Sequence, residues 1–152
     1  MTWIICALHT NELPLRHLIN DLDGDTISDN KFAGPIGAMV NRATELPLKA
    51  AIPPIDVNID FIDLKDEVVG DLSDDQKYLY QITQGIKAGY FPDCLRERNI
   101  GPHHHARWLN LAARLCRMWC SEHGFEGVDF DNLKSIVQFV VGCMCPCGSR
   151  LK

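Results

Sequence analysis

The sequence lacks the short motifs that announce common enzymes. It has no phosphate-cradling glycine loop, no dinucleotide fingerprint, no nucleophile elbow and no HExxH helix. It also lacks a long apolar run near its start. Trp3 to Leu8 is apolar, but it is too short for a secretory core or a membrane span, and no basic region leads into it. Internal repeats and low-complexity tracts are absent too. With no secretory signal, seven cysteines, an odd number, fit a reducing compartment and free or metal-bound thiols. The expected location is therefore intracellular, the nucleus included, and no membrane partner is expected.

What is present suits one domain. The 152 residues, 46% apolar and 23% charged, can bury a real core. Residues 1–142 read as a single helical or α/β unit and 143–152 as an irregular Cys-rich tail. The apolar start, with nothing before it, is expected to mark a truncation. A net charge of −5 argues against a general electrostatic nucleic-acid binder. That average hides a split. Asp56, Asp60, Asp63, Asp66, Glu67, Asp71, Asp74 and Asp75 stand against Lys65 alone, whereas Arg96, Arg98, Arg107, Arg114 and Arg117 stand against Glu97 alone. The two regions either attract each other or leave the second as a local phosphate-binding face.

Periodicity predicts a mainly α-helical chain. Leu15, Leu18, Ile19 and Leu22 keep helical spacing, with Pro14 in the first turn and Asp23-Gly24-Asp25 at the end. Residues 23–34 read as a polar loop and 35–40 as a short helix. Residues 55–61 alternate as a strand or an extended crossover. Ser73 and Gln76 have capping-box spacing for a helix that Gly89 stops near Ala88. A longer helix is predicted over roughly 103–122, and a last one from Asp129 or Asp131 through Val141.

Five groups of residues carry candidate chemistry. Asp21-x-Asp23-x-Asp25 opens like a calcium loop, but the required glycine and terminal carboxylate are replaced by Thr26 and Phe32, so a polar turn is expected. Cys6-x-x-His9 offers two zinc ligands of the four such a site wants, or a buried thiol beside a hydrogen-bonded imidazole. Cys116, Cys120 and His123 share one helix face at roughly 100° per residue, where packing is the commoner reading. Cys143-x-Cys145-x-Cys147 could hold a soft metal or fray. Finally, His103-His104-His105 precede Arg107 and Trp108. Arg107, Asn110, Arg114 and Arg117 fall within about 80° of one helix face. That stripe reads as a solvated face or, with Trp108, as a phosphate-contacting and base-stacking one.

Three segments carry a resemblance: Cys6-Ala7-Leu8-His9-Thr10-Asn11-Glu12-Leu13-Pro14-Leu15-Arg16-His17-Leu18, Phe32-Ala33-Gly34-Pro35-Ile36-Gly37 and His105-Ala106-Arg107-Trp108-Leu109. Over roughly 1–142 the chain resembles invertebrate proteins derived from mobile elements. The Cys-x-x-His pair, with Arg-Trp about a hundred residues later, also resembles hAT-type transposases. That likeness implies an RNase H-like α/β fold with a helical insertion, Cys6 and His9 in its core, and Trp108 near the DNA end. It also implies two-metal phosphoryl chemistry on two aspartates and a glutamate. No residue here matches that triad, and an aromatic-rich run expected after Val141 is replaced by the cysteine tail. The implied function is a transposase-derived, catalytically incomplete fragment that touches DNA through Arg107, Trp108, Arg114 and Arg117. The rival is a small zinc-stabilised module, held by Cys6 and His9, that binds another protein. A third reading is a helical adaptor whose acidic stretch 56–75 is a partner surface.

Overall fold

The computed structural model describes residues 2–28, 31–49, 51–57, 64–100, 107–121 and 125–144, with backbone alone for 2–11, Arg107 and Met144. Among these residues the protein is mainly helical. The elements are α1 (Thr2–Asp23), strands β1 (Thr26–Ser28) and β2 (Lys31–Phe32), α2 (Pro35–Val40), α3 (Asp66–Asp71), α4 (Asp74–Ala88), a 3-10 turn (Asp93–Leu95), α5 (Arg107–Trp119) and α6 (Gly127–Met144). The only sheet among the described residues is the antiparallel β1–β2 pair.

Helix α1 begins well before Pro14, which therefore lies inside the helix and not in its first turn. An interior proline removes one backbone hydrogen bond and crowds the preceding turn. Downstream, Leu15 and Ile19 enter the core at helical spacing. Gly24, at φ 101°, ends the helix, with its N–H on the Asn20 carbonyl at 3.2 Å. The expected polar loop over 23–34 contains the β1–β2 hairpin instead.

Helix α4 is built as its sequence dictates. The Ser73 hydroxyl accepts from the Gln76 N–H, and the Gln76 side chain accepts from the Ser73 N–H. At the other end Gly89 is left-handed at φ 85° and donates to the Gly85 carbonyl at 2.8 Å. Tyr78, Leu79, Ile82 and Ile86 form its buried stripe.

Helix α5 is the centre of the molecule. It packs against α4, α6, α1 and α2, so it has almost no solvent side. From Trp108 to Cys120 every residue is buried except Arg114. The extended segment 52–57 crosses its C-terminal end without strand pairing. It is anchored by buried Ile52 and Ile55 and by the Trp119 indole N–H on the Pro53 carbonyl at 3.0 Å. The alternating residues 58–61 lie outside the described residues. Helix α6 starts at Gly127, slightly before the expected caps. It buries Leu133, Ile136, Val137 and Val140 and runs on through Met144. It therefore enters the region read as an irregular tail.

Candidate nucleic-acid interface

Of the residues on α5 that the sequence offers to DNA, Trp108, Asn110 and Arg117 are buried. Trp108 is 4% exposed, Asn110 1% and Arg117 7%. The reading of a solvated face is corrected for Asn110 and Arg117, which are buried, while the half-buried Arg114 lies against the end of α2. A buried indole cannot stack on a base without opening the core. Arg107 opens α5, and its side chain lies outside the described part. His103, His104 and His105 also lie outside it.

Each described arginine has a structural task. Arg114 Nη1 reaches the Val40 and Asn41 carbonyls at 3.4 Å each, at the C-terminal end of α2. A cation there meets the negative end of the helix and its unsatisfied carbonyls. Burial holds the Arg114 pKa below its ordinary value. Arg117 Nη1 donates to the Tyr78 hydroxyl at 3.2 Å, and its guanidinium carbon lies 5.8 Å from the centre of the Phe91 ring. Burial raises the Tyr78 pKa, which the Arg117 hydrogen bond partly offsets.

The opposite end of α2 shows what the calcium-like residues do. Asp23 is 8% exposed and accepts the N–H groups of Ile36 at 2.9 Å and Gly37 at 2.7 Å. Its carboxylate thus caps α2 from α1. The close approach needs glycine twice. A Cβ at Gly34 would lie 1.6 Å from the Asp23 carbonyl oxygen, and one at Gly37 would lie 2.1 Å from Phe32 Cβ. Phe32-Ala33-Gly34-Pro35-Ile36-Gly37 is therefore a packing motif. In the sequence Asp23 showed only as part of a polar turn, because its partners lie thirteen and fourteen residues away.

The described metal candidates lie on α1, on or just after α5, and on α6. Cys6 and His9 lie on α1, and their side chains are outside the described part. Cys116 and Cys120 are fully buried. Burial pushes the Cys116 thiol well above its usual pKa and Cys120 up to about 12, with Arg117 and Lys49 pulling the latter down. Both thiols are thus placed as core groups at the C-terminal end of α5, packed beside Tyr78 and Arg117. Among the described residues no group of three or more His, Cys, Asp or Glu side chains could hold a metal ion. His123, Cys145 and Cys147 lie outside them. No helix among them is long and apolar enough to cross a membrane. Comparisons with protein-family models, curated proteins and solved structures returned no match.

Proposed function

We propose that this chain is a non-catalytic helical module that works by binding another protein, one with a basic face. Helix α3 carries the reading. None of its residues is buried, and it presents Asp66, Glu67, Asp71 and the exposed Val68. Asp74 and the half-buried Asp75 continue the acidic run into the first turn of α4. A helix this short is unstable by itself in water, and burial against a core is the usual remedy. This one has no such burial, so a docked partner would supply it. Asp66, Glu67, Asp71 and Asp74 are exposed, so their charge faces solvent. The test is fluorescence anisotropy of a labelled Lys/Arg-rich peptide. Asp66→Asn, Glu67→Gln and Asp71→Asn together should weaken binding at least about tenfold, from the loss of several charge-assisted contacts. Unchanged affinity would discard the arm.

The second reading is a transposase-derived, catalytically incomplete fragment of an RNase H-like fold with a helical insertion, one that touches DNA. It is supported by the sequence resemblance and by the position of Arg107 at the first turn of α5. Its test is binding of short duplex and single-stranded DNA at two salt concentrations with magnesium present. Affinity that falls steeply with salt and is lost in Arg107→Ala supports it. The zinc-stabilised form of the module, with Cys6 and His9 as ligands, requires stoichiometric zinc that survives dialysis.

A further inference from the structure

We propose that Arg117, Arg98 and Arg96 form a binding site for a small phosphate monoester dianion. Arg117 is more than nine-tenths buried, yet its Nε has no hydrogen-bond acceptor. Among the described residues no carboxylate pairs with it, and its contacts are the Tyr78 hydroxyl and the Phe91 ring. Neither contact brings a counter-charge. A guanidinium removed from water without one is among the costlier arrangements a core can hold.

Two further guanidinium groups stand on the same two rings. Arg98 lies 5.8 Å from the Tyr78 ring centre and donates to two uncharged acceptors, Gln81 Oε1 at 3.3 Å and the Asp74 carbonyl at 3.2 Å. Arg96 lies 5.8 Å from the Phe91 ring centre and is paired with Asp93 at 2.8 Å. Arg117 and Arg98 thus stand on these rings with no carboxylate bonded to either among the described residues, and Arg96 with Asp93. A phosphate monoester, which carries about −1.5 to −2 charges at pH 7, would supply the counter-charge. Arginine forks suit its oxygens. The Tyr78 hydroxyl accepts from Arg117 and keeps its own proton to donate. Arg96 is exposed and Arg98 half-buried. The site does not use the α3 acids, although Arg98 holds the Asp74 carbonyl beside their run.

The experiment is thermal unfolding of the full chain titrated with inorganic phosphate, ionic strength being held constant with sodium chloride. The wild type should show a saturable rise of about 3–6 °C at roughly ten times the dissociation constant. Arg117→Met removes the charge at similar volume, an exchange that cores often tolerate. It should melt cooperatively and lose the rise. Arg117→Lys should retain part of it, and Arg98→Gln should weaken it. A flat wild-type titration would overturn the proposal, as would an equal rise in Arg117→Met. A response to a phosphodiester oligonucleotide without any response to phosphate would also overturn it.

Discussion

Asp23 meets two opposing influences. Burial raises its pKa above the usual 3.8, the Gly37 and Ile36 N–H groups pull it back, and the nearby Asp129 adds to the rise. A raised folded-state value means that the folded chain holds this proton more tightly than the unfolded chain does. The resulting stabilisation is full below the unfolded pKa and disappears as pH rises through the folded one. The stability of the wild type relative to Asp23→Asn should therefore increase from pH 7 to pH 3 in paired urea titrations. A decrease would contradict the assignment. Asp23→Ala leaves two buried N–H groups without an acceptor and should cost about 2–4 kcal/mol at pH 7. Glycine substitutions divide in the same assay. Gly34→Ala and Gly37→Ala run into backbone or packed side chain and should lose about 3 kcal/mol or more, as overpacked cores do. Gly70→Ala meets nothing within 4 Å. It should gain about 0.5–1 kcal/mol from helix propensity. Thiols divide as well. Native alkylation followed by peptide mapping should mark exposed Cys94 and spare buried Cys116 and Cys120 until the chain unfolds.

At the scale of elements, legibility follows from where the decisive physics lies. Helix α4 could be read in full because its start, stop and buried stripe are local: Ser73 and Gln76 close one end and Gly89 the other. Ser73→Ala should cost about 1 kcal/mol, measured by the urea midpoint at unchanged slope. Helix α1 was read short because Pro14 is ordinarily a first-turn residue. Only packing along the rest of the helix can retain it further in. Helix α5 was misread for another reason. Periodicity shows that Asn110, Arg114 and Arg117 share a side, but it cannot show whether that side meets water. The answer came from α2 and α4, whose residues lie tens of positions away in the chain. Asp23 was illegible likewise, since its partners Ile36 and Gly37 become visible only when α1 and α2 meet.

At the scale of the molecule, one helix touches nearly everything. Because α5 contacts α1, α2, α4 and α6, loosening any one of them exposes its buried length. Helical circular dichroism and the fluorescence of Trp108 and Trp119 should therefore report one coincident urea transition. Separated midpoints would show that the four neighbours do not depend on α5 as described. The same centrality bears on α2. Its first turn is held by Asp23 from α1 and its last by Arg114 from α5. Neither anchor belongs to α2, and a helix of this length cannot persist alone. It is thus a keystone, set only after both flanking walls stand. In hydrogen exchange its Ile36 and Gly37 amides should be released at the rate of global opening, making the smallest interior helix a gauge of whether the whole chain has assembled.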